Sequence, residues 1–114
     1  MQQQTAAFRL RIYIGEHDHR GPQPLYTAIV EAGRRAKLAG ATVFKGIEGF
    51  GARSIVHAAR VVDLSSDLPI VVEFVDSHDK LTSFLEGASD MLADGMVTIE
   101  PVTILYRSEG KPDA

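Results

Sequence analysis

The sequence contains no cysteine and no long apolar run. Without cysteine, disulfide bonds and thiolate metal sites are excluded. No stretch approaches the roughly 20 apolar residues of a membrane-spanning helix, and the first residues lack the basic and apolar regions of a signal peptide. A formal net charge of -3 argues against non-specific nucleic-acid binding, which needs a basic surface. We therefore expect a cytoplasmic protein that binds no nucleic acid and does not insert into a membrane.

The composition that remains is typical of one ordinary globular domain. Its 114 residues are 45% hydrophobic and 24% charged, which suffices for one hydrophobic core but not for two. Residues 1–7 are polar or small and show no periodicity, and residues 108–114 form a polar tail. We expect flexible termini on either side of a single domain that spans residues 8–107.

The first half of this domain predicts a strand, a helix and a second strand. Apolar and polar residues alternate from Phe8 to Ile14, and this period of two is typical of a strand with one apolar face. Pro24 suits the first position of a helix, and Gly40 suits its C-terminal cap. Thr42 to Phe50, rich in β-branched and aromatic residues, predicts the second strand, with a bulge near Gly46.

The second half predicts two more strands around a second helix. The nearly continuous apolar run from Ile70 to Val75 predicts a central strand that is covered on both sides. Asp76 or Ser77 can cap the next helix, and Gly95 is expected to stop it. The last strand is expected to break at Pro101, because proline cannot donate to a strand ladder. The resulting order is that of an α+β, ferredoxin-like βαββαβ sandwich.

One face of such a sheet is left without helices, because two helices can cover only one side. The uncovered face would carry Arg9 and Arg11, with Glu73 as an acid that can lie across from them. Arginines on this face are consistent with exposure to solvent. They are also consistent with a face covered by a second subunit, if acidic residues pair with them. We prefer a subunit interface.

Three glycines, Gly46, Gly49 and Gly51, form the most distinctive local pattern. They allow a close backbone approach or positive φ angles, although the same spacing also suits a bulge followed by a turn. Glu48 lies between them in a strand expected to be half-buried, where a carboxylate needs a basic partner or a ligand. The segment 51–68 follows, and loops of this length in compact domains tend to be functional or mobile.

A second candidate site is the run Glu16, His17, Asp18 and His19, which offers four metal ligands in a row. A metal needs converging side chains, and adjacent loop residues rarely all converge. Solvated loop polarity, capping of the following helix and contact with a basic loop are the alternative interpretations, and a metal cofactor is not expected.

Catalysis has little support in the sequence. No serine lies in a nucleophile elbow, and His57 near Ser54 is a local coincidence in a loop. We expect no enzyme. An enzyme hypothesis would require turnover that depends on Glu48 or His57.

Several stretches resemble a known group of proteins. Leu10–Glu16, Pro24–Tyr26 and Gly46–Gly51 together resemble the PII-like family known as domain of unknown function one-ninety, over about residues 8–106. The stretch from Gly40 to Gly51 also resembles the second strand and T-loop entrance of PII-type signalling proteins. Val97–Val102, with Tyr106 and Arg107 after it, resembles their last strands.

This resemblance implies a homotrimer with ligand clefts between neighbouring subunits. PII proteins bind adenine nucleotides in these clefts and use a mobile T-loop to contact a transporter or an enzyme. The stretch that matches their phosphate loop, Ala93–Met96, has one glycine and no lysine. The positions assigned to ligand binding here are Gly46, Glu48, Gly49, Phe50, Gly51, Arg53 and Arg107.

The function expected from the sequence is therefore that of a non-catalytic PII-like signalling protein. It would bind a small anionic ligand, with an adenine nucleotide as one candidate, and would report to a partner protein such as a membrane transporter or an enzyme through the 51–68 segment. One alternative is a divalent-metal-binding trimer of the cation-tolerance type that uses Glu16, His17, Asp18 and His19. A small enzyme of unknown reaction is the third hypothesis.

Overall fold

Six strands and two helices make up the part of the chain that the computed structural model describes, residues 4–51 and 67–108. In chain order they are β1 (Thr5–Gly15), β2 (His19–Arg20), β3 (Gln23–Pro24), α1 (Leu25–Arg35), β4 (Ala41–Lys45), β5 (Pro69–Asp76), α2 (His78–Gly87) and β6 (Met96–Ile104). The four long strands form one antiparallel sheet in the order β4-β5-β1-β6, and β2 pairs with β3 in a separate short hairpin. The predicted α+β, ferredoxin-like βαββαβ order is confirmed.

The hydrophobic core lies between one face of this sheet and the two helices. Alternate residues of β1 and β5 supply the sheet side, because successive side chains of a strand point to opposite faces. Ile29 of α1 and Leu81 and Phe84 of α2 supply the helix side. The buried strand residues are Leu10, Ile12, Ile14, Ile70, Val72 and Phe74. The central position predicted for the strand at 70–75 is also confirmed, because β5 lies between β4 and β1.

The opposite face of the sheet carries cross-strand ion pairs. Arg11 lies directly across from Glu73 in the β1–β5 register, and its Nε donates to the Glu73 carboxylate at 2.9 Å. This hydrogen bond raises the pKa of Arg11 above its ordinary value. Arg9 pairs in the same way with Glu100 of β6, at 3.0 Å. The expected acids therefore do lie across from the two arginines.

Three strand boundaries differ from the prediction. β1 begins at Thr5, so it includes three residues that the sequence assigned to a flexible terminus. β4 ends at Lys45 rather than at Phe50, and the expected bulge near Gly46 is instead the point where the strand leaves the sheet. β6 continues through Pro101, which lies opposite Phe8, rather than breaking there. β6 is an edge strand, and an edge strand tolerates proline because the backbone groups on its outer side have no partner strand that needs an N–H donor.

The ends of the helices also differ from the prediction. Pro24 is the extended residue that precedes α1, with ψ 141°, rather than its first helical residue. α1 ends at Arg35, and Lys37 rather than Gly40 adopts the left-handed conformation, with φ 63°. Backbone bonds from Lys37 N to Arg34 O and from Leu38 N to Gly33 O complete a Schellman cap.

The second helix is shorter than its apolar pattern suggested. Ser77 caps it by accepting a hydrogen bond from Lys80 N, which is one of the two predicted caps. The helix ends at Gly87, and the apolar pattern continues through a 3-10 turn at Ser89–Met91 instead of reaching Gly95. Within the described ranges, neither helix has the length and apolar character needed to cross a membrane.

Candidate functional site

The glycines after β4 bring the two ends of the 51–68 segment together. Gly46 N donates to Pro69 O at 2.7 Å, which continues the β4–β5 pairing by one further bond. A Cβ atom at Gly46 would lie 2.8 Å from Pro69 Cγ. Gly49 has φ +151° and also approaches Pro69, so a side chain at either position would be strained or would clash. We call this junction of residues 46–49 with residues 67–69 the neck.

The loop after β1 holds the neck from a second side. Glu16 N donates to Leu68 O at 2.8 Å, and His17 N donates to Asp67 Oδ1 at 3.2 Å. The Glu16 carboxylate also pairs with Lys45 Nζ at 2.6 Å, and this hydrogen bond lowers the pKa of Glu16. The end of β4 and the start of β5 are therefore both fixed against the same loop.

A cleft of about 290 Å³ opens beside the neck. Phe50 and Gly51 form one side of it, and Asp67 with Pro69 forms the next. The end of β1 and the residues 94–96, which lead into β6, complete the described wall. The cleft thus brings residues from both ends of the 51–68 segment to one surface.

Carboxylates dominate the polar part of this wall. Asp18, Asp67 and Asp94 all line the cleft. Gly15 N donates to Asp18 Oδ2 at 3.0 Å, so the backbone turn after β1 fixes this carboxylate in place. Carboxylate oxygens in such a wall can accept hydrogen bonds from hydroxyl and amino groups.

The predicted ligand-binding residues divide between the neck, the cleft and the surface. Gly46 and Gly49 form the neck, and Phe50 and Gly51 line the cleft. Glu48 is exposed and lies beyond the end of β4, so the expectation of a half-buried strand carboxylate is wrong.

The two predicted arginines are not among the described residues of the cleft. Arg53 lies outside the described residues. Arg107 is exposed and follows the far end of β6, at which Ile104 pairs with Thr5. The cleft lies at the other end of β6, at which Met96 pairs with Tyr13. One chain therefore does not bring Arg107 to the cleft.

The predicted metal ligands do not form a metal site in residues 4–51 and 67–108. No group of three or more histidine and acidic side chains there has the arrangement needed to hold a metal ion. Glu16 is held by Lys45, and His19 belongs to the short β2–β3 hairpin. His57, which the enzyme hypothesis required, lies outside the described residues.

Most residues of the cleft were not predicted as ligand contacts, among them Asp67, Pro69 and Asp94. Asp67 lies just before β5, the strand that Pro69 begins. Their contacts with Gly15, Gly46 and Gly49 link distant parts of the sequence. Asp94 belongs to the stretch that was matched to a phosphate loop. Its negative charge is the feature of the sequence that could have predicted an acidic wall at this place.

A second concave surface lies on the helix side of the molecule. It is a groove of about 760 Å³ between α1 and α2, and it mixes basic side chains such as Arg35 and Lys80 with acidic ones such as Asp79. An ion pair between Arg20 and Asp90, 2.8 Å long, lies at its margin. Its mixed charge selects no ligand class, so the cleft at the neck is the better candidate.

Solved structures with the same architecture support the fold assignment. A protein from Thermus thermophilus, described as a PII-like signaling protein, superposes with a TM-score of 0.64 at 19% identity, covering 91% of this chain and 94% of that chain. CPII from Thiomonas intermedia, a nitrogen regulatory PII-like protein, superposes in its complex with ADP and bicarbonate with a TM-score of 0.64 at 18% identity, covering 91% and 93%. At such identities the likeness shows a shared PII-like fold.

Sequence comparison gives the family. The UPF0166 protein of Aquifex aeolicus is 34% identical over 97 residues, which cover 85% of this chain and 91% of the relative. The model of the DUF190 family, described as Uncharacterized ACR, matches residues 7–104. The chain therefore belongs to the DUF190 family.

Proposed function

We propose that this protein is a non-catalytic, PII-like regulatory protein of the cytoplasm that works as a homotrimer. Its clefts between neighbouring copies would bind a small ligand, with an adenine nucleotide as the leading candidate. The 51–68 segment would transmit the occupancy of the cleft to a partner protein, such as a transporter or an enzyme.

The observation that carries this proposal is the position of the cleft. It lies where the 51–68 segment leaves and re-enters the sheet, and residues from both ends of the segment line it. A ligand that contacts Phe50 or Asp67 would therefore favour one arrangement of the segment over another, which is the requirement for a population shift. The complex of the similarly folded CPII with ADP and bicarbonate supports a nucleotide as the first ligand class to test.

The acidic wall determines how a nucleotide would fit. Carboxylates of Asp67 and Asp94 can accept hydrogen bonds from ribose hydroxyls or from the adenine amino group. The aromatic ring of Phe50 offers a surface for the base. The phosphates would need basic groups that the described wall does not supply, and Arg53 and a neighbouring copy's Arg107 are the candidates.

Isothermal titration calorimetry of the purified protein tests this proposal. Adenosine, AMP, ADP, ATP and bicarbonate are titrated singly and in pairs at fixed ionic strength. We expect saturable binding of at least one adenine nucleotide. Asp94→Asn should weaken it by about tenfold or more, because a hydrogen bond to a charged group contributes about 1.5–3 kcal/mol.

Asp79→Asn is the matched control. It removes the same charge from an exposed position on α2 that is remote from the cleft, and it should leave the affinity unchanged. The absence of heat from every nucleotide, with and without bicarbonate, would refute the nucleotide proposal.

Neither alternative function has a supporting observation in the described residues. A metal-binding trimer would need converging ligands among Glu16, His17, Asp18 and His19, and no such group is found there. A small enzyme would need a catalytic group near a cavity, and Glu48 is exposed and does not line the cleft.

A further inference from the structure

The groove of about 760 Å³ between α1 and α2 is built from one face of each helix. Its lining residues recur at a spacing of four, with Ala28, Ala32 and Ala36 on α1 and Ser83 and Gly87 on α2. Residues at this spacing lie on the same side of a helix. The groove therefore runs along both helices, and small side chains keep it open.

The bottom of the groove is apolar. Ala28, Phe84 and Ala88 line it and are 6%, 5% and 3% exposed, so they belong to the outer surface of the hydrophobic core. A Cβ atom added at Gly87 would meet nothing within 4 Å. Apolar side chains from another molecule could therefore pack onto this surface without displacing the core.

Most charged side chains of the groove are already bound within the chain. Lys80 Nζ donates to Lys37 O at 2.8 Å, and Gln23 Nε2 donates to Glu31 Oε1 at 3.0 Å. The ion pair at the margin of the groove, 2.8 Å long, engages two more. These contacts fix the walls of the groove.

Arg35 differs from these side chains, because no carboxylate in residues 4–51 or 67–108 pairs with it. It lines the groove at the end of α1, and Arg34 and Lys37 are exposed beside it. The bond from Lys80 to Lys37 places the first turn of α2 at the same end, where Asp79 lines the groove. Three cations beside one acid make this end of the groove basic.

An α-helix fits such a surface better than an extended peptide does. The backbone groups inside α1 and α2 are paired within each helix, so the walls offer no row of free N–H and C=O groups to an added strand. A helix pairs its own backbone groups and contacts a groove through side chains. Because α1 has 11 residues and is about 16 Å long, a partner helix of about three turns would span the groove.

We propose that this groove docks an amphipathic α-helix of a partner protein. The apolar side of that helix would cover Phe84 and the alanines, and one of its acidic residues would pair with Arg35, because opposite charges across an interface fix its register. The groove and the cleft at the neck share no lining residue. The contact is therefore separate from the one that the proposed function assigns to the 51–68 segment.

Selection from a displayed library of helical peptides tests this proposal with the wild-type protein as the target. The library has a helical scaffold of about 15 residues, near the minimum length for an isolated helix, and one face of it is varied. We expect enrichment of large apolar residues at helical spacing, with Glu or Asp at one end of the apolar face. The proposal is overturned if no peptide is enriched, or if the enriched peptides bind equally well with a proline in the middle of the helix.

Blocking variants show whether an enriched peptide binds in the groove. Gly87→Trp fills the groove and should abolish binding in fluorescence anisotropy, and Ser83→Arg is a second variant of the same kind. Glu86→Trp is the matched control, because it adds the same side chain to an exposed position of α2 that does not line the groove. Circular dichroism checks that each variant is folded. Peptides that bind both blocking variants as tightly as wild type would overturn the proposal.

Charge reversal tests the assigned ion pair. Arg35→Glu should raise the dissociation constant of the peptide by about fivefold, the upper value for an exposed pair, and a peptide with Lys in place of its acid should recover most of the loss. Arg34→Glu reverses the same charge at an exposed neighbour that does not line the groove, and it should have a much smaller effect at physiological ionic strength. Equal effects of the two reversals would contradict the pair with Arg35.

A second copy of the chain is the competing occupant of the groove. In that case Gly87→Trp would lower the mass of the protein in multi-angle light scattering, and this result would overturn the partner helix. Nucleotide calorimetry keeps the two proposals apart, because Gly87→Trp should leave any nucleotide affinity unchanged. Peptide binding without nucleotide binding would support the groove and refute the nucleotide proposal, and the reverse result would refute the groove alone.

Discussion

Replacing Gly33 with alanine tests how closely α1 packs against the sheet. Gly33 is buried near the end of α1, and a Cβ atom there would lie 2.8 Å from Phe74 Cζ. The Phe74 ring is 1% exposed and packs against the Phe84 ring at a centroid distance of 5.1 Å. Because the ring is buried and packs against a second ring, we expect the added methyl group to force a shift of the ring or of α1.

Two opposing effects determine how much Gly33→Ala changes the free energy of unfolding. Alanine has a helix propensity about 1 kcal/mol better than that of glycine. Overpacking of a well-packed core costs about 1–3 kcal/mol. Because the contacted atoms belong to a buried ring, we expect an overpacking cost in the upper part of that range. After the gain in helix propensity, the free energy of unfolding should fall by about 1–2 kcal/mol. For a domain of this size, that corresponds to a Tm lower by roughly 5–15 °C.

Thermal and urea unfolding followed by far-ultraviolet circular dichroism measure this change. Gly87→Ala is the matched control: it also ends a helix, but a Cβ atom there meets nothing within 4 Å, so it should be neutral or stabilising. Adding Phe74→Leu to Gly33→Ala should reduce the clash. A Gly33→Ala protein as stable as wild type would refute the close approach of α1 to Phe74.

Three further predictions concern exposed or half-buried positions. Lys37→Gly should raise the free energy of unfolding by about 0.5–1 kcal/mol in urea titrations, because φ 63° strains a residue with a side chain. Lys45 lowers the pKa of Glu16 below its ordinary 4.5, so the pair stabilises the fold above pH 4.5 and this contribution is lost as the pH falls through the folded pKa. Lys45→Met should therefore raise the Glu16 pKa in a carbon-13 NMR titration, and an unchanged value would contradict the pairing. Arg11→Met should lower the free energy of unfolding in urea titrations, because Glu73 then loses its partner on a half-buried face, and Arg11→Met with Glu73→Leu should recover most of the loss.

Much of the fold could be predicted because its signals are local. The alternation in β1 reflects its one buried face, and the continuous apolar run of β5 indicates a strand inside the sheet, although only alternate residues of β5 are buried. Each pattern is contained within a few neighbouring residues. The C-terminal end of α1 could not be predicted in this way. Lys37 adopts the cap conformation although Gly40 is nearby, and its carbonyl accepts a hydrogen bond from Lys80 Nζ at 2.8 Å. That bond joins the turn after α1 to α2, more than forty residues along the chain, so no local pattern indicates it.

The candidate site could likewise be predicted only where its features depend on neighbouring residues of the sequence. Gly46 and Gly49 could be singled out because glycine itself signals a close approach, and the structure identifies the approaching residue as Pro69. Glu48 was misassigned because the strand was extended through the glycines, whereas β4 ends at Lys45. Asp94 could be recognised as a departure from a basic phosphate loop, but its place in an acidic wall becomes evident only when the sheet brings β1 and β6 together.

The neck is the part of the fold on which the proposed regulation depends. Backbone hydrogen bonds from Gly46 N to Pro69 O and from Glu16 N to Leu68 O fix the chain shortly before the 51–68 segment and at its end. The cleft lies at the same junction and is lined from both ends, by Phe50 and by Asp67. In the function we propose, a ligand in the cleft would contact residues at both ends of this segment. Its effect on the segment would depend on how its contacts with Phe50 and Asp67 differ between the arrangements of the segment.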